Sequence, residues 1–509
     1  MSETTQSLSL GIPPSLISSE LEGLYGSSVL QDMYNIIELY EIYQKGSPFK
    51  TESSKDYIPA DLRYRSISAI LDKEARFLFS RTPDLYIDPV FSTSSEKERM
   101  KESANTYQTL VDSVLEENNF GDILVKAAKD CFIGKRVALL FNVDEETGMY
   151  INFLPSLEFV YDVDPSDSRT ITRITVFYGI NDEKSKSNQR IYRKRYWMED
   201  GLCHYSEVIY DGLGKEVEVV EEDTTTKLPF IPAWVIVNDG LTGDLMGQSE
   251  VESLADYESW YSRLASADMD AERKGMNPIR YAVDADPSTT KNLSIAAGAF
   301  WDLATDQNQA QDRAAQVGVL DSPMTYSTAL DTTLQRIKNM MYEQCAVPNV
   351  NPEALQGVVS SGKTLKAIYW DLIVRCDEKM QAWRPALKFM VKCIIESARL
   401  YPQSARKYLG DVNIPSDPYS IRVENQYSLP EDEVEEKTID LAEVNAQTMS
   451  RKRYMKKWHL LTDEEVDEEL LQLAKERQML EDSFMELPME TYTQGNKNPA
   501  EGNQQPQEQ

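Results

Sequence analysis

Gly357-Val-Val-Ser-Ser-Gly-Lys-Thr364 spells G-x-x-x-x-G-K-[ST]. That is the pattern of a loop that cradles nucleotide phosphates on its backbone N–H groups, with Lys on the outer phosphates and Thr on magnesium. Such a loop works only when a buried strand aims it at the phosphates from a helix N-terminus. The residues before it, Cys345-Ala-Val-Pro-Asn-Val-Asn-Pro-Glu-Ala-Leu-Gln356, contain Pro348 and Pro352 and no apolar run of strand length. No apolar strand ending in Asp follows to hold a metal. The stretch reads as a flexible Gly/Ser loop, with Ser361 capping the helix behind it. A P-loop NTPase built on Gly357–Thr364 is the alternative.

Little other chemistry is present. The two histidines, His204 and His459, lie far apart in sequence. Neither sits in a nucleophile elbow, and no HExxH exists; both read as surface residues. Asp162, Asp164 and Asp167 suggest a calcium loop, but Asp167 and Arg173 stand where an EF-hand needs Gly and an acidic residue, so a solvated turn is expected. The five cysteines (131, 203, 345, 376 and 393) are odd in number, widely spaced and form no CxxC pair. They read as small buried hydrophobes in a reducing compartment. No catalytic constellation, cofactor or metal site is expected. Arg451-Lys-Arg-Tyr-Met-Lys-Lys-Trp458 is the one dense basic run. It reads as a solvated face or linker neutralising the acidic helices around it. The functional alternative is a contact from Arg451, Lys452, Arg453, Lys456 and Lys457 to DNA or an acidic partner.

The elements that position these residues come next. From Gly362 to about Tyr401, apolar residues recur at 3–4 spacing: Leu365, Ile368, Tyr369, Leu372, Ile373, Cys376, Met380, Trp383, Leu387, Met390, Val391, Ile394 and Ile395. A helix of that length spans roughly 55–60 Å. Pro385 deletes the hydrogen bond to the Gln381 carbonyl, and a kink is expected there. Long kinked helices more often serve as scaffolding than as catalytic apparatus.

The chain has 509 residues, 41% of them hydrophobic, which suits two to four globular domains. A net charge of −31 opposes tight nucleic-acid binding, but it does not exclude a protein past which DNA slides without sticking. The first residues do not form a signal peptide, and no apolar run approaches the ~20 residues of a membrane span.

Residues 1–14 read as a loose arm. Helices are expected over Val29–Tyr43, Leu62–Phe79, Ser95–Leu115 and Phe120–Phe132, with a short strand at Leu85–Asp88. The pattern then turns to period two. Strands are expected at Val137–Val143, Tyr150–Leu154, Ile171–Phe177 and Ile191–Trp197, with one or two more in Glu207–Val220 and a last one in Phe230–Asn238. Asp200-Gly201 marks a turn. This is an α+β domain with an antiparallel sheet. Ser249 and Glu252 form a capping box for a helix running to about Arg273. Another helix opens at Ser322-Pro323 and runs to Cys345. The two flank an insertion whose core is expected at Tyr281, Phe300, Trp301 and Val317. A strand at Tyr419–Glu424, an acidic helix from Pro430 to about Met449 and a helix over Thr462–Glu481 follow. Residues 492–509 are Gln/Asn/Gly/Pro-rich and expected to be disordered.

The order of these parts resembles the portal proteins of tailed bacteriophages, in the branch typical of long-tailed phages of Gram-positive hosts. The resemblance covers most of residues 25–485. It rests on Cys131-Phe-Ile-Gly-Lys-Arg-Val-Ala-Leu-Leu-Phe141 followed by a hairpin and Phe153-Leu-Pro-Ser-Leu-Glu-Phe-Val-Tyr161. It continues with Phe230-Ile-Pro232, Asn238, Gly247-Gln-Ser-Glu250, Val347-Pro-Asn349 and Ser360-Ser-Gly-Lys-Thr-Leu365.

The resemblance implies a portal fold. Its parts would be an N-terminal arm (1–24), an α/β wing (25–245), a first stem helix (246–274), a small α/β clip (275–322) and a second stem helix (323–345). A tunnel loop (346–361), a long kinked wing helix and strand (362–429), a helical crown (430–485) and a tail (486–509) would follow. It further implies a ring, usually a dodecamer, at one capsid vertex of the virion, assembled in the host cytoplasm. Double-stranded DNA would enter and leave through its channel. Partners would be the terminase large subunit, a head-completion or adaptor protein, the scaffold and the major capsid protein. Asn349, Asn351, Glu353, Gln356, Val358, Val359, Ser360, Ser361 and Lys363 would lie on the loop facing DNA, which also accounts for the nucleotide-loop look-alike.

Overall fold

The computed structural model describes residues 14–20, 26–51, 53, 58–93, 95–181, 189–241, 243–276, 279–291, 301, 303–306, 314–320, 325–350, 366–427, 433–459 and 463–485. The chain divides into two compact units, Met1–Leu429 and Pro430–Gln509.

The first unit opens with α1 (Pro14–Glu20), α2 (Gly26–Lys45), α3 (Ser66–Leu78), β1 (Asp84–Pro89), α4 (Lys97–Glu117) and α5 (Phe120–Gly134). Residues 1–13 lie outside the described residues, but the arm proves to contain α1. Leu16 and Ile17 are buried, and Glu20 is only 2% exposed. Its carboxylate accepts from Arg193, Arg195 and Thr175 on the sheet below. A single carboxylate between two guanidinium groups fixes this helix, and a polar sequence with no strong period gave no sign of it.

Period two continues through β2 (Arg136–Asp144), β3 (Gly148–Pro155), β4 (Phe159–Asp164), β5 (Asp167–Asn181), β6 (Gln189–Glu199), β7 (Leu202–Asp211), β8 (Glu216–Thr225) and β9 (Ala233–Val237). The expected single sheet is two sheets: a three-stranded one in the order β3-β2-β9 and a five-stranded one in the order β4-β5-β6-β7-β8. Both are antiparallel throughout. β2 explains the division. Successive side chains on a strand face opposite ways. Val137, Leu139 and Phe141 join the large helical core, while Ala138 and Leu140 join a second core shared with Phe159, Ile174 and Tyr196. At the β6–β7 hairpin Asp200 and Gly201 both take positive φ, 50° and 80°, the backbone a tight two-residue turn requires.

After the sheets come α6 (Glu250–Met276), β10 (Ile279–Val283), α7 (Pro287–Thr290), β11 (Gln316–Leu320) and α8 (Ser327–Gln344). α6 packs against α8, as the flanking-helix reading requires. β10 and β11 pair antiparallel. Tyr281 and Val317, expected in a small core, are instead 48% and 43% exposed; a two-stranded ribbon has no second layer to cover them. Phe300 and the expected helix start at Pro323 lie outside the described residues, and α8 begins only at Ser327.

The long helix is α9 (Trp370–Leu400), followed by α10 (Pro402–Leu409) and β12 (Tyr419–Glu424). Residues 366–368 are helical, but a turn at Tyr369 separates them from α9, so the continuous helix expected from Gly362 is interrupted. Tyr369 stacks on Phe77, which stacks in turn on Tyr427. Pro385 lies inside α9 on its exposed side. Trp383, almost fully buried, packs edge-on to Phe79 and against Phe153. β12 pairs with β1, Asp84 opposite Glu424 and Pro89 opposite Tyr419, so residues more than three hundred positions apart close one ladder.

The second unit holds α11 (Glu433–Asn445), α12 (Arg451–His459) and α13 (Asp463–Met485). α12 packs on both of the others. Residues 486–509, and with them the expected disordered tail, lie outside the described residues.

Candidate functional site

α6 ties together several helices of the first unit. Four polar side chains spaced along it accept backbone N–H groups, three from the segment ahead of α3 and one from the first turn of α3. Asp270 Oδ1 accepts from Ala60 at 2.9 Å, Ser266 Oγ from Leu62 at 2.9 Å, Ser262 Oγ from Tyr64 at 3.2 Å and Glu258 Oε1 from Ile67 at 2.9 Å. The pitch explains the first three, from Ala60, Leu62 and Tyr64. Four helical residues advance about 6 Å, and two extended residues advance about 6.6 Å. Donors on alternate residues of an extended chain therefore meet acceptors on every fourth residue of a helix. α3 starts at Ser66 and not near Leu62, as its apolar period suggests: residues 60–64 run outside any helix, bonded at alternate N–H groups to α6. Glu258 is fully buried and also accepts from the Ser47 N–H at 2.8 Å and the Ser47 hydroxyl at 3.0 Å. Burial pushes its pKa up, partly offset by these N–H and O–H bonds.

The start of α6 carries a second knot. Gly247 takes φ +73°, and a Cβ there would stand 2.5 Å from the Lys135 carbonyl, so only glycine fits this entry. The Ser249 hydroxyl accepts from the Val251 N–H and donates to the Ile133 carbonyl at 2.7 Å. The expected capping box is thus not formed as drawn: Ser249 reaches Val251, and the Glu252 carboxylate points toward Lys135 at 3.8 Å. Phe132 and Ile133 lie next to the turn, and their carbonyls compete for the serine.

Glu250, Glu74, Arg375 and Lys379 then form a buried tetrad joining α6, α3 and α9. Arg375 Nε stands 2.8 Å from Glu74, and its other arm pairs with Glu250. Lys379 Nζ stands 3.3 Å from Glu74, pairs with Glu250 and donates to Asn238 Oδ1 at 3.1 Å. It also lies 3.8 Å above the Phe132 ring. Burial alone would lower the Lys379 pKa, but Glu250 and Glu74 reverse this and hold it raised. Burial also works on Glu250, yet Lys379 and Arg375 overcome it and hold its carboxyl below the usual range. Glu74 is pushed up, first by burial, and its Oε2 has no hydrogen-bond partner. Two cations and two carboxylates cancel, so the knot is neutral and its members depend on one another.

Beside it lies a cavity of about 230 Å³, lined by Asn238, Asp239, Arg375, Glu378, Lys379 and Trp383 among others. Its cations are already engaged by Glu74 and Glu250, which leaves poor footing for a phosphate. Among the described residues, two groups bring three potential metal donors within 4.8 Å: Glu74 with Glu250 and Cys345, and Glu199 with His204 and Asp223. The first does not suit a metal: Arg375 and Lys379 occupy the carboxylates, and burial pushes the Cys345 thiol far up. In the second, His204 Nδ1 pairs with Asp223 at 2.7 Å. His204 is therefore half-buried, not the surface residue its sequence suggested, whereas His459 is exposed. Asp162 is buried against Arg173, while Asp164 and Asp167 accept from nearby turn residues, so no calcium loop forms. All five cysteines are free and buried.

The residues singled out in sequence fall as follows. Asn349 is exposed, and its amide donates to Asn339 Oδ1 on α8 at 3.1 Å. Asn351, Glu353, Gln356, Val358, Val359, Ser360, Ser361 and Lys363, with the Gly357–Thr364 motif, lie outside the described residues. Residues 345–350, which lead into that motif, form a turn and irregular backbone. The basic run forms α12. Lys452 Nζ stands 2.8 Å from Asp467. Lys457 Nζ stands 2.7 Å from Asp440, which also accepts from the Trp458 indole at 2.8 Å. Arg451, Arg453 and Lys456 are exposed. The reading of this run as a neutraliser of its acidic neighbours holds for Lys452 and Lys457. The α6 ladder and the tetrad escaped the sequence reading. The one signal in plain sight was Glu258, Ser262, Ser266 and Asp270, small or acidic residues every four positions on one helix face.

No helix among the described residues is long and apolar enough to cross a membrane. No curated protein matches the chain. Among solved structures, a chain of "Virion of native gene transfer agent (GTA) particle" is similar at 9% identity and TM-score 0.34, over 77% of this chain and 87% of that one. "Neck of native GTA particle computed with C12 symmetry" is similar at 9% identity and TM-score 0.33, over the same shares. The family model described as "Phage portal protein, SPP1 Gp6-like" matches residues 67–482, a span that runs from the first turn of α3 past α12 and holds both larger sheets, α6 and the tetrad. The chain therefore belongs to the phage portal protein family, whose members are structural proteins and not enzymes.

Proposed function

We propose that this chain assembles into a ring, usually of twelve copies in this family, at one vertex of a phage capsid. The ring is the channel for DNA packaging by a terminase and for DNA ejection, and the seat of head-tail connector proteins. Scaffold and major capsid protein would meet it during assembly in the host cytoplasm. The observation that carries the ring, beside family membership, is α8. Of its 18 residues only Met341 is buried, although its apolar and polar positions are those of a packed helix. A neighbouring copy laid against its open face would supply the missing burial. A head-to-tail ring uses two unlike faces, one on each side of the subunit. The net charge of −31 suits a channel that repels the duplex and lets it slide. On this reading α6 and α8 are the stem, β10 and β11 the clip, residues 346–361 the tunnel loop and α11 to α13 the crown. Arg451, Lys452, Arg453, Lys456 and Lys457 remain candidates for touching packaged DNA.

The rival reading, nucleotide hydrolysis at Gly357–Thr364, is disfavoured by Pro348 and Pro352, which interrupt the strand such a loop needs ahead of it. The test is turnover of ATP by the purified chain and its Lys363→Ala variant. The portal reading expects no turnover by either and unaltered assembly of the variant. ATP hydrolysis lost on Lys363→Ala would refute it.

A further inference from the structure

β8 has no role in anything described so far, and it is an unusual strand. It is the outer edge of the five-stranded sheet, so on one side its backbone N–H and C=O groups have no strand among the described residues to pair with. Both of its faces are open as well: from Glu216 to Thr225 every residue is exposed except Thr224, which is half-buried. Val217, Val219 and Val220 are 51%, 45% and 45% exposed. Between them stand Glu216, Glu218, Glu221, Glu222 and Asp223, with no basic residue in the strand. Asp223 is engaged by His204, and Glu221 accepts from the Thr224 hydroxyl. Glu216, Glu218 and Glu222 carry no ion pair among the described residues.

Charge on an edge strand guards it against unwanted pairing, while exposed apolar residues on it invite pairing. Here three valines sit beside five acids. That combination gives a partner strand both apolar contact and ion pairs, the two kinds of cross-strand contact that stabilise a sheet. We propose that β8 is the docking edge for a basic, extended segment of another protein, which adds to the sheet as a further strand. Such addition draws affinity from main-chain bonds and selectivity from alternate side chains. A second copy of β8 is a poor occupant, because pairing would set carboxylates directly opposite carboxylates. Nucleic acid is a poor occupant for the same electrostatic reason. The β7–β8 ladder shifts register at three places, between Tyr205 and Glu207, Glu207 and Val208, and Ile209 and Tyr210. The added strand would therefore pair in short runs, with charge carrying much of the attraction, and its binding would weaken with salt.

The test uses the full chain and a labelled ten-residue peptide alternating Lys and Val, read by fluorescence anisotropy. The expected result is saturable binding, weakened at least tenfold by the combined substitutions Glu216→Gln, Glu218→Gln and Glu222→Gln. These exposed changes move the net charge only from −31 to −28, so a general attraction to an acidic chain would scarcely respond. A peptide N-methylated at alternate amides, unable to pair with an edge, should also bind at least tenfold more weakly. No saturable binding, equal binding by the triple variant, or equal binding of the methylated peptide would each overturn strand addition at β8.

Discussion

The Glu258 carboxylate on α6 accepts the backbone N–H of Ile67 at 2.9 Å, across 191 residues of sequence. Ile67 sits in the first turn of α3, where helix N–H groups have no partner within the helix. A side chain of one helix thus serves as the cap of another. Arg65, which precedes α3, makes no side-chain cap of its own.

Replacing Glu258 by Ala should therefore destabilise far more than the loss of one carboxylate at a surface. It strands the buried N–H groups of Ile67 and Ser47, at about 1–3 kcal/mol each. Glu258→Gln keeps an acceptor and should cost clearly less. Denaturant unfolding of both variants checks the order. Equal losses would mean that the cap is not what Glu258 contributes.

Arg375→Ala should cost about 3–5 kcal/mol, the usual range for removing one partner of a buried ion pair. Glu74 and Glu250 would then share the single cation of Lys379. Arg375→Lys should recover only part of this, because a lysine lacks the planar guanidinium fork whose two arms engage Glu74 and Glu250 separately. The measurement is again unfolding free energy, with both variants beside the parent chain. A loss under about 1 kcal/mol for Arg375→Ala would place the tetrad among weak surface pairs.

These two knots also mark the limit of what the sequence discloses. Periodicity located α2, α4, α5 and most strands, because burial of a face leaves a repeat in the letters. It carried α3 back to Leu62, because Leu62 and Ile67 both fit an apolar stripe, and nothing local says that the Leu62 N–H is bonded to Ser266. The division into two sheets follows from which face of β2 meets which core, a tertiary fact. The exposure of Tyr281 and Val317 follows from their place on a two-stranded ribbon. Glu74, Glu250, Arg375 and Lys379 are ordinary helix charges as letters and become a knot only when three helices converge. The ordered set of motifs, by contrast, carried the family reading through long-range spacing that no single element supplies.

A pH dependence is also expected in the first unit. Asp130 is pushed up to about 6, by burial against the opposing effects of Tyr40 and Lys129. Glu158 is pushed up to about 7, by burial and then by Asp130. Both lie above their ordinary values of 3.8 and 4.5. The unfolded chain releases these protons first, so the groups favour folding at low pH, and that contribution is lost as pH rises from about 4 to about 7. Other carboxylates, such as Asp72 and Asp144, are lowered and act in the opposite sense. The informative quantity is therefore the difference between parent and the double variant Asp130→Asn, Glu158→Gln. The variant should gain stability relative to the parent between pH 5 and pH 8, followed by denaturant unfolding at each pH. A constant difference across that range would contradict the assignment.

The most direct measurement is single-particle electron microscopy of the purified chain together with its native mass. The account predicts closed rings of a single subunit count, with an axial channel open wide enough for a DNA duplex. Rings whose axis is blocked to a duplex would contradict it. So would a chain that stays monomeric even when co-expressed with the capsid proteins it assembles beside.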